Sequence, residues 1–218
     1  VKVFLQQAGL DWQFIASDGI ELRKALFAIM DEVLDSLKSA EEAQLVIPID
    51  QHFNVKGIGL VAIGYVQSGR LSVHDEVMIL PAGGGASTKS LQVMDDDVTE
   101  ASAGDRVGIA LRNAKEEHLT SASIIVHPAV DDKRTGGQTP LALFGCDKTS
   151  FKLQKSRFQK RELSIGDIVH IAVDLQFVVG RIEVIEGDLV TVGWDSTLFI
   201  RRDSPPPALL CQLDNKPR

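Results

Sequence analysis

Cysteine is scarce in this 218-residue chain, with two in all, Cys146 and Cys211. They lie too far apart in sequence for a metal knuckle or a CxxC pair, and they read as reduced, buried apolar residues of a cytosolic protein. No stretch approaches the roughly 20 unbroken apolar residues that span a bilayer. No charged-then-apolar leader precedes a small-residue cleavage site. Basic charge is also short: 23 Lys and Arg face 30 Asp and Glu, a net charge of -7. That balance argues against generic binding of duplex DNA, because phosphate neutralisation needs clustered cations. The loop GxxxxGK[ST] is missing too, so the chain lacks that amide cradle for a nucleotide's phosphates. What remains is 44% apolar and 24% charged, which excludes disorder and collagen-like structure. The length allows one large domain or two small ones.

Charge divides the chain. Residues 1–126 carry 10 Lys and Arg against 18 Asp and Glu, whereas residues 147–218 carry 11 against 10. Between them, Pro128, Gly136, Gly137 and Pro140 break any regular pattern, so a joint is expected near 127–146. Before it, Leu22, Leu26, Ile29, Met30, Val33 and Leu37 recur at three- and four-residue intervals and predict an amphipathic helix over 18–39. Ser17-Asp18 can cap its start, with Glu21 in capping-box spacing. Two short apolar pieces within 1–16 read as strands. From Leu45 onward six short apolar runs follow (LVIPI, GLVAIGYV, EVMIL, SLQVM, RVGIAL, SIIVH), a density that fits a closed antiparallel barrel or sandwich. After the joint the same style returns in LALF, DIVHIAVDLQFVVGRIEVI, DLVTVGW, LFIRR and ALLCQL. Glu186-Gly187-Asp188 reads as a hairpin turn inside it. The fold class is therefore mostly β: two small antiparallel barrels after a short α/β piece.

Most chemical motifs dissolve on inspection. Gly57-Ile58-Gly59 with Gly64 has the look of a dinucleotide loop, but a strand follows where a helix is needed, so tight turns and close packing explain these glycines better. Gly83-Gly84-Gly85 reads as a flexible hairpin tip. The five histidines form no i, i+4 pair and none sits at ligand spacing from a cysteine. Asp95-Asp96-Asp97 suits a divalent cation or, more simply, a solvated turn. One stretch stands out. Lys152, Lys155, Arg157, Lys160 and Arg161 place five cations in ten residues (KLQKSRFQKR), with Phe151 and Phe158 interleaved. Cations with aromatics suit phosphate contact plus stacking. The competing reading is a solvated strand edge blunted by Lys against aggregation.

Residues 45–128 resemble the second domain of the translational GTPases, a family that includes elongation factor Tu, elongation factor 1-alpha and the selenocysteine-specific factor. The markers are Pro48-Ile49 before Phe53, Gly57-x-Gly59-x-Val61, Gly64-x-Val66-x-x-Gly69, Ala103-Gly104-Asp105 and Val107-Gly108. Residues 139–214 look like the third-domain barrel, more loosely, through Gly166-Asp167-Ile168-Val169 and Phe177-Val178-Val179-Gly180-Arg181. Residues 1–40 look like the last strand and helix of the preceding GTPase domain, through Phe14-Ile15-Ala16-Ser17 and Gly19-Ile20-Glu21-Leu22. The resemblance implies a GTPase remnant over 1–42, truncated or degenerate, a domain 2-like barrel over 43–128 and a domain 3-like barrel over 139–215. The start at Val1 without an initiator Met is in keeping with a fragment.

In the family the second domain holds the aminoacylated 3′ end of tRNA. Its pocket uses an acid in the Pro-Ile-acid stretch, a nearby Phe, the Arg and Thr of Gly-Arg-Gly-Thr, and a Glu and an Arg on a later strand. By that resemblance Asp50 and Phe53 match the first two. Ile58 stands for the Arg, and Leu60, after Gly59, for the Thr. Gln92 lies near the Glu and Asp95 near the later Arg. Each charge-assisted hydrogen bond lost this way is worth roughly 1.5–3 kcal/mol. The expected function is that of an elongation factor-like protein acting on tRNA or the ribosome in the cytoplasm, with the cationic stripe as its phosphate contact. No catalytic, metal or cofactor site is expected in this chain, GTP and Mg belonging to a longer parent. The alternative is a paralogue that kept the scaffold, lost the chemistry and works as a protein-binding adaptor. No membrane or DNA partner is expected, and the apolar helix face suits a homodimer.

Overall fold

The computed structural model describes residues 18–128, 141–155, 161–202 and 206–213, together with Val3, Ile15 and Gln159, and the side chains of 36–39 are left aside. The strands expected within 1–16 and most of the expected joint lie outside the described residues. Helix α1 runs over Gly19–Glu41. Asp18 caps it: its Oδ1 accepts the backbone N–H groups of Ile20 at 3.0 Å and Glu21 at 3.1 Å, satisfying two of the donors that every helix start leaves open. Leu22, Leu26, Met30 and Val33 on its apolar stripe are exposed. Val1–Ala40 and Glu41–Arg218 are separate compact units.

The second unit opens with nine strands: β1 Ile47–Val55, β2 Gly59–Tyr65, β3 Arg70–Ser72, β4 Glu76–Leu80, β5 Gly84–Val93, β6 Asp96–Val98, β7 Glu100–Ser102, β8 Arg106–Arg112 and β9 Ile124–Val126. Six of them pair in the order β4-β9-β1-β2-β8-β5, and β4 with β5 closes the ring. These are the six runs legible in the sequence. β6 extends β5 as a hairpin, and β3 pairs β7 across the rim. Alternation fills the inside with Leu60, Ala62, Val77, Ile79, Leu91, Val107 and Ile109, as a period of two requires.

Glycine meets two different demands here. Gly57 and Gly59 take φ of +85° and +106° in the β1–β2 turn, a region L-residues avoid. Gly64 is a packing glycine, since a Cβ there would stand 2.4 Å from the Pro48 carbonyl oxygen. The hairpin between β4 and β5 turns at residues 80–83, earlier than the glycine triplet suggested. Gly84 and Gly85 are already in β5, paired with Ile79 and Met78. Gly84 lies under the His118 ring, where any Cβ would clash at 2.0 Å.

Five more strands follow: β10 Leu143–Lys152, β11 Ile168–Val173, β12 Gln176–Glu186, β13 Leu189–Arg201 and β14 Leu209–Cys211. They form one antiparallel sheet in the order β10-β13-β12-β11-β14, curled over Val169, Ile171, Ile182, Val192, Trp194 and Leu198. Among the described residues β10 and β14 are the outermost strands of this curled sheet, which stands where the second small barrel was expected. The long run DIVHIAVDLQFVVGRIEVI divides at Asp174-Leu175, and Glu186 pairs Leu189 around the expected turn at Gly187-Asp188. Cys146 and Cys211 are free thiols on the two edge strands and half-buried, not fully buried as anticipated.

Candidate functional site

The outer face of the first barrel carries a shallow trough built by strand register. Residues directly opposite across neighbouring antiparallel strands project from the same face. One such row is Phe53, Val61, Ala110 and Ser90, contributed in turn by β1, β2, β8 and β5. The next is Gln51, Ile63, Gly108 and Gln92. Val61, Ile63, Gly108 and Ala110 make the floor. Phe53, 41% exposed, stands on one side. Gln92 stands on the other, its amide donating to Asp97 Oδ1 at 2.9 Å. The flanks come from β1 and β5, with β2 and β8 between them in the ring. Gly108 keeps the middle open, because a Cβ there would meet only Gln92, at 3.9 Å.

Register sorts the six residues carried over by resemblance. Phe53 and Gln92 flank the trough. Gly59 opens β2 at its edge. Asp50 lies toward the far end of β1, with Arg106 Nη2 at 3.8 Å. The Arg106 guanidinium in turn covers the Tyr65 ring at 5.8 Å. Asp95 sits at the β5–β6 hairpin tip, where it and Met94 take φ of 68° and 51°. Leu60 is 6% exposed and belongs to the core. It pairs with Asn54, one step out of phase with the trough row, and that single step turns its side chain inward. The floor residues were not picked out from the sequence. Their signal was present in GLVAIGYV, which stays apolar on both faces, whereas a water-facing strand alternates.

The cationic stripe is described in part. Lys152 ends β10 and is exposed. Lys155 pairs with Glu162, and Arg161 Nη2 lies 2.9 Å from Asp167 Oδ1. Both carboxylates come from just outside the stripe, so its cations are partly answered within the fold. The Lys155–Glu162 pair is exposed and worth about 0–1 kcal/mol, whereas Asp167 is mostly buried and also accepts the Ser164 N–H at 2.9 Å. Arg157, Lys160 and Phe158 lie outside the described residues. Among the described residues no cluster of three His, Cys, Asp or Glu side chains is placed to hold a metal. No helix among them is long and apolar enough to cross a membrane.

Residues 59–126 match the family model described as Elongation factor Tu domain 2. The chain is 26% identical over 177 residues to an uncharacterised protein of Methanocaldococcus jannaschii, covering 81% of this chain and 51% of that protein. It is 37% identical over 105 residues to the selenocysteine-specific elongation factor of the same organism, covering 48% of this chain and 22% of that one. It is 31% identical over 116 residues to elongation factor 1-alpha of Methanosarcina mazei, covering 50% and 27%. The chain thus spans about half or less of the curated relatives it matches. In fold it is similar to bacterial selenocysteine-specific elongation factor EF-Sec, with a TM-score of 0.67 and 19% identity over 98% of this chain and 34% of that one. Translation elongation factor SelB from Methanococcus maripaludis, in its apo form, gives 0.62 at 23% identity over 88% and 44%. Residues 59–126 of the first barrel are thus those of an elongation factor Tu domain 2, and over that part the chain is similar to translation elongation factors.

Proposed function

We propose that this chain is the two-body β portion of a translation factor and binds tRNA or the ribosome. The observation that carries this reading is the trough on the outer face of an elongation factor Tu domain 2, with Phe53 and Gln92 on its flanks. Its floor is uncharged and apolar, so stacking and shape contribute there, and ionic contact falls to the cationic stripe, in which Lys152, Lys155 and Arg161 are described. Nucleotide binding belongs to residues outside this chain, which has no GxxxxGK[ST] loop of its own.

The test is a titration with aminoacylated and deacylated tRNA at two salt concentrations. A preference for the aminoacylated form assigns the trough to the charged 3′ end. Equal, steeply salt-dependent binding assigns affinity to the stripe alone. In that case Lys152→Ala, Lys155→Ala and Arg161→Ala together lower the salt slope by roughly one for each phosphate left without its cation. A second reading, a protein-binding adaptor, draws on the neutral floor and on Ile58 and Leu60 in place of the family's Arg and Thr. No tRNA binding at low salt, with a discrete partner recovered by pull-down, decides for it.

A further inference from the structure

Where the first barrel meets the second sheet, two kinds of contact run side by side. Val46, Ile124 and Val126 of the barrel pack with Met78 and Leu80 and, from the second sheet, with Leu141 and Leu143. That seam is apolar and non-directional, and it holds the bodies together without choosing an angle. Beside it lies a polar cluster. Arg201, at the end of β13, forks onto Asp174, with Nε to Oδ2 at 2.8 Å and Nη2 to Oδ1 at 2.9 Å. Its Nη2 also donates to Gln67 Oε1 of the barrel at 3.0 Å, and Gln67 Nε2 donates back to Asp174 Oδ1 at 3.3 Å.

From this geometry we infer that Gln67, Asp174 and Arg201 form a latch that fixes the angle between the two β-bodies. The Asp174 side chain is wholly buried and that of Arg201 nearly so, at 0% and 8% exposure. A buried ion pair is weak evidence for stability, since desolvation consumes most of the attraction. Its better attested use is to specify one arrangement: a displaced barrel withdraws the Gln67 amide and leaves the buried guanidinium and carboxylate each a hydrogen bond short. Each partner is set in place by local structure. Asp174 and Leu175 form the two-residue turn between β11 and β12 with φ of 45° and 62°. A leucine held there is backbone strain kept in service of where Asp174 points. Gln176, next in sequence and buried, clasps the Phe199 backbone at both ends, donating to its carbonyl at 2.7 Å and accepting its N–H at 3.0 Å. This fixes β13 two residues before Arg201. On the barrel side, Gln67 N–H donates to the Val46 carbonyl at 2.9 Å, which ties the latch to the apolar seam.

The test is nuclear magnetic resonance of the whole 218-residue chain in a weakly aligning medium. One alignment tensor should fit the residual dipolar couplings of both β-bodies. In Gln67→Ala, which leaves the Arg201–Asp174 pair inside its own sheet, the common tensor should be lost while each body keeps its own consistent set. Asp174→Asn should do the same more severely, and if it fails to fold, Gln67→Ala decides alone. Lys148→Ala, at an exposed pair with Glu183, should leave the common tensor intact. Two unrelated tensors in the unaltered chain overturn the latch. So does a common tensor that survives in Gln67→Ala, because the apolar seam would then fix the angle unaided.

Discussion

The two β-bodies of this chain use one alphabet to different ends. The first closes its ring through β4 and β5, so the ring strands themselves leave no unpaired edge, and its outer face is free to carry a trough. The second, as described, ends on β10 and β14 and turns apolar side chains outward as well: Ile168, Phe177 and Leu209 are all exposed, with Phe177 stacked on His170 at 5.2 Å between ring centroids. The trough floor on the closed body is neutral, whereas Lys152, Lys155 and Arg161 belong to the other.

That contrast is sharpest in the cores. Ile109→Ala in the barrel and Ile182→Ala in the sheet remove the same atoms from positions of 0% and 1% exposure. Each should cost about 2–5 kcal/mol, read by denaturant unfolding. If the bodies unfold as one, both substitutions move a single transition by similar amounts. Two transitions, each answering to one substitution, would show two independent units.

Overpacking gives a smaller and more local comparison. Gly64→Ala would bring a Cβ to 2.4 Å from the Pro48 carbonyl oxygen, and Gly180→Ala to 2.7 Å from the Gly193 carbonyl oxygen and 2.5 Å from the Trp194 ring. Backbone cannot step aside as a flexible side chain can, so each should cost about 1–3 kcal/mol in thermal melts. The closed barrel has less room to relax, and Gly64→Ala is expected to be the worse of the two. The reverse order would mean that closure does not stiffen it.

A single hydrogen bond comes next. Trp194 Nε1 donates to Thr149 Oγ1 at 2.6 Å, from β13 to β10. Trp194→Phe removes the donor and should cost about 1 kcal/mol, with faster hydrogen exchange along β10 and little change in the barrel. The smallest effect belongs to the surface: Lys148→Ala should shift stability by no more than about 1 kcal/mol.

The strands of the first barrel were legible because alternation of period two survives in RVGIAL and EVMIL, and turn residues separate the runs. The helix was legible for the same kind of reason, its apolar stripe repeating at three and four residues and Asp18 standing where a cap is needed. Phe53 and Gln92 were marked by resemblance, but Leu60 was placed with them although it points the other way. One residue of register decides which face a side chain meets, and a motif match does not report it: Leu60 pairs Asn54, one step from the Phe53–Val61 pair.

By itself, then, the sequence determined most of the strands, the helix, the division of charge and the likeness of the first barrel to an elongation factor Tu domain 2, because periodicity, turn chemistry and ordered glycine motifs are local properties of the chain. Only the tertiary structure decided which strands close a ring, which side chains line the trough and which charges meet. Gln67 and Arg201 stand 134 residues apart in sequence, and no local pattern joins them. They meet because the barrel and the second sheet bring their ends to one seam, where a buried guanidinium must find acceptors for its N–H groups.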